Sequence, residues 1–280
     1  MNRASVIPLS TTALLGALAP GFVQAAAILP DFASAVFTPG QAIDNPYFHL
    51  VDGLTRIYEG SYEEGGETIT ERFELTLAGA GPTLLGVQTT TRLDRAYEDD
   101  VLVEETFDYY AQDTAGNVWY FGEDVVNYRY DDDGNFLGTD SASAWLSGSN
   151  SALPGFAMPA SLVPGFNYYQ EFAPFDGALD EGQTLAGDRT IALESGAIYD
   201  DVLAVLEFSV AAPDTYEIKY YAPGAGLIAV DEDFDLELGE AGFRVELIGA
   251  AAPVPLPAPA LLLGSAMAAV FANARRRASA

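Results

Sequence analysis

Apolar residues recur at every second position over most of this chain, the spacing of strands that have one face covered. Phe73, Leu75 and Leu77 alternate with Glu74 and Thr76, while Phe107, Tyr109 and Ala111 alternate with Thr106, Asp108, Tyr110 and Gln112. Val202, Ala204, Leu206, Phe208 and Val210 repeat the pattern, and Tyr216, Ile218 and Tyr220 stand against Glu217 and Lys219. Turn formers separate the runs: Glu64-Gly65-Gly66, the Gly-Ala-Gly-Pro of 79–82, Glu98-Asp99-Asp100, Asp113 to Asn117, Asp133-Gly134-Asn135 and Ala222 to Gly226. Strands joined by short turns make an antiparallel meander, and no sustained helical period offers a place for β-α-β crossovers. The pattern predicts an all-β domain over 28–248, an antiparallel meander forming a strongly curved sheet or open barrel.

Smaller features are expected around that meander. Short helical turns fit Asp31–Ala35 and Pro154–Leu162, and the Ser-, Gly-, Ala- and Pro-rich segment 139–166 reads as a long loop or a passage between two halves of one sheet. The acidic run Asp231 to Gly239 reads as a hairpin arm or solvated loop ahead of a last strand, Gly242 to Ile248.

Both ends carry export signals. Arg3, an apolar stretch from Val6 to Leu18 and the small residues Ala25-Ala26-Ala27 predict an N-terminal signal helix over 1–27. At the other end an Ala- and Pro-rich linker, 249–258, ends in Val254-Pro255-Leu256-Pro257-Ala258. An apolar membrane helix and the basic stop Arg275-Arg276-Arg277 follow over 259–280. The apolar run, about 15 residues, is short of the ~20 that span a bilayer core, so it reads as a temporary anchor with its arginines on the cytoplasmic side.

These last residues closely resemble the PEP-CTERM class of C-terminal sorting segments in its VPLPA form, found on exported proteins of Gram-negative bacteria. The resemblance implies an exosortase as partner, an inner-membrane-anchored precursor, removal of the tail, and delivery to the cell surface or to an extracellular polymer. A second resemblance covers about Asp44 to Asp231. It rests on Asn45-Pro46-Tyr47-Phe48, Tyr58-Glu59-Gly60, Tyr109 to Asp113, Gly116 to Glu123, Tyr220 to Gly224 and Gly226-Leu227. These blocks are similar to a family of uncharacterised bacterial secreted β-proteins and lipoproteins, which implies a fold and no activity. His49-Leu50 departs from the Pro-rich step expected there.

Composition narrows the function. All 41 acidic residues lie between Asp31 and Glu246 against eight basic ones, a balance near −33, which repels nucleic acid. The 15 Tyr, 16 Phe and 2 Trp exclude a disordered chain. With no cysteine, disulfides, thiol catalysis and zinc–thiolate sites are excluded.

Candidate chemistry is sparse. Glu104, Glu105, Asp108, Asp113, Glu123 and Asp124 supply carboxylates for a hydrolase, but in so acidic a chain they read first as solvated outer-face residues. Asp131, Asp133 and Asn135 are weak calcium candidates on a Gly134 turn, and a hairpin turn is the simpler reading. His49, the single histidine, reads as structural. The aromatic doublets Tyr109-Tyr110, Trp119-Tyr120-Phe121, Tyr168-Tyr169 and Tyr220-Tyr221 send neighbours to opposite faces, one for the core and one free to line a surface or a mouth. The expectation is a non-catalytic surface or matrix-associated interaction protein without a cofactor. The alternatives are a glycan- or lipid-binding module, calcium-assisted at its acidic turns, and a carboxylate hydrolase. Inward-facing acids in a deep pocket would favour the hydrolase, and a dry concave aromatic face would favour binding.

Overall fold

The predicted alternation is realised as long strands. The computed structural model describes residues 26–251 apart from 51–52, 132, 186 and 211–214; the signal segment, most of the linker, the VPLPA motif and the C-terminal helix with its arginines lie outside the described residues. A small hairpin of β1 (Asp44–Asn45) and β2 (Phe48–His49) precedes a meander of β3 (Thr55–Glu64), β4 (Glu67–Leu84), β5 (Val87–Glu98), β6 (Val101–Gln112) and β7 (Val118–Tyr130). Short strands follow: β8 (Phe136–Asp140), β9 (Trp145–Leu146), β10 (Leu153–Met158), β11 (Asn167–Tyr169), β12 (Glu171–Phe172), β13 (Asp180–Thr184) and β14 (Arg189–Ala192). A second meander, β15 (Ile198–Ser209), β16 (Tyr216–Ala222), β17 (Gly226–Glu232) and β18 (Phe243–Ala251), ends the described chain.

One antiparallel sheet takes up both meanders, in the order β11-β13-β15-β16-β17-β18-β3-β4-β5-β6-β7-β10-β12. The join between them is β18 on β3, with Val245 opposite Gly60. The two ends of that order, β11 and β12, are consecutive in the chain and separated only by Gln170, whose N–H reaches the Asp180 carbonyl at 2.7 Å. The sheet therefore curls round until its edges nearly meet, which removes the exposed edges that invite aggregation.

The barrel has an inside and two covered patches outside. Inside, toward one end, Phe48, Tyr110, Tyr120, Trp145, Leu203 and Tyr221 form the largest buried cluster. Outside, Tyr109, Trp119 and Phe121 cluster with Phe32 and Phe37 of the N-terminal segment, whose ring centroids lie 5.7 to 6.1 Å from those of Trp119 and Phe121. Around the other side, Val202, Ala204, Leu206, Ile218 and Tyr220 lie beneath Ile191, Tyr199, Phe234 and Leu236. The doublets do part to opposite faces: Tyr109, Trp119, Phe121 and Tyr220 pack outside, while Tyr110, Tyr120 and Tyr221 turn inward and line the interior.

Several local expectations are corrected. The Gly-Ala-Gly-Pro of 79–82 is not a turn: β4 runs through it on two bulges, and the reversal falls at Leu85-Gly86, both with positive φ (48° and 84°). Gly81 makes that path feasible, because a Cβ there would meet Thr89, Thr91 and the Tyr109 ring. Pro154–Leu162 is not helical but contains most of β10, and the 139–166 segment is the passage that closes the sheet. A 3-10 turn does form at Phe32–Ser34, capped by Asp31. The last strand continues to Ala251, with Gly249, Ala250 and Ala251 opposite Ile57, Arg56 and Thr55, three residues into the segment read as linker.

Closure depends on a residue with no side chain. A Cβ on Gly155 of β10 would overlap the carbonyl oxygens of Tyr169 and Gln170 at the seam. Gly155→Ala is expected to lower stability by about 2–3 kcal/mol, an overpacking cost, read as a drop in thermal midpoint. Gly249→Ala, where a Cβ meets nothing within 4 Å, serves as control and is expected to leave the midpoint nearly unchanged.

Candidate functional site

The barrel encloses a cavity of about 600 Å³. Its floor is built by the β1–β2 hairpin. The Gln112 side chain accepts from the backbone N–H of Asp44 and of Asn45, both at 2.9 Å, and donates to the Asp44 carboxylate at 2.6 Å. Asn45 donates to the Gly116 carbonyl at 2.9 Å, and the Gly224 N–H reaches the Pro46 carbonyl at 2.7 Å. Phe48 is thereby set against Tyr110, with centroids 4.9 Å apart. The opposite end is the mouth, where Thr215, Tyr216, Glu232 and Asp233 reach the lining.

The walls differ in chemistry. β4 and its neighbours contribute Phe73, Leu75, Leu77, Leu227 and Val245. The rest of the circumference turns charged side chains inward. Arg92 of β5 forks onto Asp94 at 2.7 and 2.6 Å and reaches Asp108 of β6 at 2.9 Å, with its guanidinium 5.0 Å from the Tyr110 ring centroid. Lys219 of β16 pairs Glu207 of β15 at 2.7 Å and Glu217 at 2.9 Å, and Gln170 donates to Glu207 at 2.9 Å. Glu123 of β7 and Glu171 of β12 make no ion pair among the described residues.

Tyr120 links the two acids: its hydroxyl lies 2.5 Å from an Asp108 oxygen and 2.9 Å from Glu123 Oε2 and donates toward both. Burial, reinforced by the nearby Asp108, pushes Glu123 up to about 8, against the Tyr120 hydrogen bond, which favours the carboxylate. Burial, then the nearby Glu123, holds Glu171 well above the usual carboxylate range, and burial also raises Asp180. Burial and then Glu217 push Glu232 up to about 8. Asp94 is also pushed up by burial, to about 8, with the Arg92 fork opposing that rise.

The sequence-level candidates fall apart under this geometry. Of the six carboxylates read as solvated outer-face residues, Glu104, Asp108 and Glu123 line the cavity, which corrects that reading for them. Glu105 pairs with Arg95 at 2.9 Å, and Asp124 accepts from Tyr109 at 2.6 Å. Asp113, buried, accepts from Ala115, Asn117 and Trp119 and so organises the β6–β7 turn. The Asp131 carboxylate is taken up by the N–H groups of Asp133 and Asn135 and by the Asn135 amide, an Asx-stabilised hairpin in which Gly134 has φ 77°. Among the described residues no three His, Cys, Asp or Glu side chains converge to hold a metal ion. His49 stands at the floor of the cavity.

Arg92, Asp94, Glu171, Asp180, Glu207, Lys219 and Glu232 were not picked out from sequence. The available signal was period-two polarity: Arg92-x-Asp94 and Glu217-x-Lys219 each place two charges on one strand face.

No family model matches the chain, and no curated protein matches it. Among solved structures it is similar to a candidate lipoprotein from Parabacteroides distasonis, at 11% identity over 74% of this chain and 99% of that one, with a TM-score of 0.38. It is also similar to a candidate exported protein with a YmcC-like fold from Bacteroides fragilis, at 12% identity over 78% and 99%, with a TM-score of 0.35. At these scores neither likeness bears on what the cavity does. Among the described residues no helix is long and apolar enough to cross a membrane.

A carboxyl whose folded-state pKa exceeds its unfolded value binds more protons in the native state. Its contribution is therefore fully present below the ordinary glutamate value of 4.5 and is lost as pH rises through about 8. The thermal midpoint is expected to fall from pH 5 to pH 9 by several degrees. Glu123→Gln, which keeps an N–H donor beside Tyr120 without a titrating group, should flatten that slope and melt higher than the parent at pH 8.5. Identical slopes for the two proteins would show that Glu123 is ionised in the fold.

Proposed function

We propose that this protein is an exported binding module whose barrel interior holds a ligand with an apolar body and a polar head. The observation that carries the reading is the cavity itself. About 600 Å³ open at one end, with Phe73, Leu75 and Leu77 along one side and hydrogen-bonding groups on the others, is the form of a ligand pocket rather than a packed core. The earlier criterion of inward acids for a hydrolase is met in part, yet Asp94, Asp108 and Glu207 are already engaged by Arg92 and Lys219. The criterion of an aromatic face is met in part, since Phe48, Phe73, Tyr110, Tyr120 and Tyr221 line the cavity, but charged side chains share the wall, which supports an amphipathic ligand.

Export rests on the sequence: the signal segment and the Val254 to Ala258 motif support an exosortase substrate, first membrane-anchored and then released or attached at the surface. A second reading, hydrolysis by a carboxyl pair, is favoured by one contact, the Tyr120 bridge between Asp108 and Glu123, whose pKa burial raises. It would require Glu123→Gln to abolish turnover of an aryl glycoside.

A neutral polarity-sensitive dye such as Nile red tests the binding reading. Saturable, one-to-one fluorescence enhancement is expected, and Leu75→Trp should reduce it at least tenfold by occupying the cavity. Absence of saturable binding would overturn the reading. Intact mass of the protein from its native host is expected to show loss of the residues up to Ala25 or Ala27 and of the tail near Pro255; a retained Arg275–Arg277 tail in an exosortase-bearing host would overturn the sorting step.

A further inference from the structure

The charges inside the barrel do not balance, and their arrangement says what would balance them. Arg92 is spent on Asp94 and Asp108, and Lys219 on Glu207 and Glu217. Glu123 and Glu171 both line the cavity without an ion pair among the described residues, on strands separated only by β10, where Pro154 stands opposite Glu171 and the next residue, Gly155, opposite Tyr120, the hydrogen-bond partner of Glu123. In sheet order β12 and β13, which carry Glu171 and Asp180, lie across the barrel from β3 and β4, which carry the apolar wall. A molecule reaching from Leu75 and Leu77 to Glu171 would thus have its apolar part on one side and meet acid on the other.

The rim of the cavity has the same sense. At the mouth, Glu71 stands opposite Glu98 across β4 and β5, near Asp233, and Glu217 and Glu232 continue the acidic rim. Such a rim concentrates cations and repels carboxylates and phosphates. An inorganic cation is the weaker occupant, since no three acidic side chains converge as metal ligands among the described residues and half the wall is apolar.

We propose that the cavity binds a primary-amine amphiphile, with its ammonium group seated at Glu123 and Glu171 and its aliphatic body along Phe73, Leu75 and Leu77. This rests on the binding reading above and names its ligand class. The ammonium replaces the protons these carboxyls carry, so binding near neutral pH releases protons. The groups acting on Glu123 are Tyr120 in direct contact, Asp108 through Tyr120, Glu104 and Asp180 farther off, and Glu171 on the same side of the barrel, with β10 between their strands. Of the cations that also line the cavity, Arg92, Arg95 and Lys219 are each paired with an acid, and Arg56 stands on β3, across the barrel from Glu171.

The test is calorimetric titration of the purified full chain at pH 7.5 with dodecylamine, dodecanol and dodecanoate, each below its aggregation threshold. Dodecylamine is expected to bind at least tenfold more tightly than dodecanol, with dodecanoate weakest. Glu123→Gln combined with Glu171→Gln should cost the amine tenfold or more and leave dodecanol within twofold. Repeating the parent titration in two buffers of different ionisation enthalpy should reveal net proton release, a readout that needs no variant to fold. Binding of dodecanol or dodecanoate as tight as that of the amine, an unchanged amine affinity in the double variant, or no proton release would overturn the amine assignment while leaving a binding barrel. No binding of any of the three would overturn the binding reading itself.

Discussion

A barrel that turns carboxylates inward must hold each of them neutral or paired, because an isolated buried charge is far more costly than the fold can support. Arg92 meets this demand first. Its guanidinium contacts an acid on its own strand and one on the next, and stacks near Tyr110, so that β5 and β6 are locked in register from within. Tyr120 passes the connection to β7 by bridging Asp108 and Glu123. Lys219 does the same for β15 and β16, and Gln170 carries that network to the seam. The buried polar groups on this side form two continuous networks, and removing either cation would leave charges with no partner in a medium that cannot solvate them.

The closed end is built from a different logic, in which single polar side chains organise backbone. Gln112 holds the β1–β2 hairpin by both of its functions, and its neighbour Asp113 gathers Ala115 and Asn117 of the β6–β7 turn and Trp119 of β7. Asn45, Gly116 and Gly224 complete the floor. The scattered blocks Asn45 to Phe48, Gln112-Asp113, Gly116-Asn117 and Gly224 thus share one place in the fold. Together they stop one end of the barrel, whichever ligand the cavity takes.

Periodicity identified the strands but not which face of each turns inward. Val202, Ala204, Leu206 and Phe208 make the more apolar side of β15, and that side faces outward, under Ile191, Tyr199, Phe234 and Leu236. The inward side, Leu203, Val205 and Glu207, runs from the core to the acid cluster. Strand alternation is symmetric about the sheet, so the choice is made by which remote segments supply cover, and one strand's sequence holds no record of that. Asp108 and Glu123 were read as solvated for the same reason: they sit on the polar side of strands whose apolar side is covered from outside by Phe32 and Phe37. The seam at Gly155 and Gln170 left no local signal either, since it is a contact between two short strands with irregular surroundings. The Leu85-Gly86 reversal was masked by stronger turn formers four residues earlier, which the bulges of β4 absorb.

That the interior stays open follows from how its charges are satisfied. A barrel of this circumference fills only if large side chains meet across it, as Phe48, Tyr110, Tyr120 and Tyr221 do near the floor. Higher up, Arg92 and Lys219 reach along the wall to acids on the same or the adjacent strand instead of across the lumen. Ala96, Thr106 and Ala157 add small lining residues between them. Ion pairs laid along the wall neutralise charge without occupying the centre, whereas apolar residues could stabilise the same strands only by filling it. Had stability alone been the constraint, well-packed apolar groups would serve as well or better than buried ion pairs. A charged wall that leaves its own centre vacant is therefore better explained by something the centre receives.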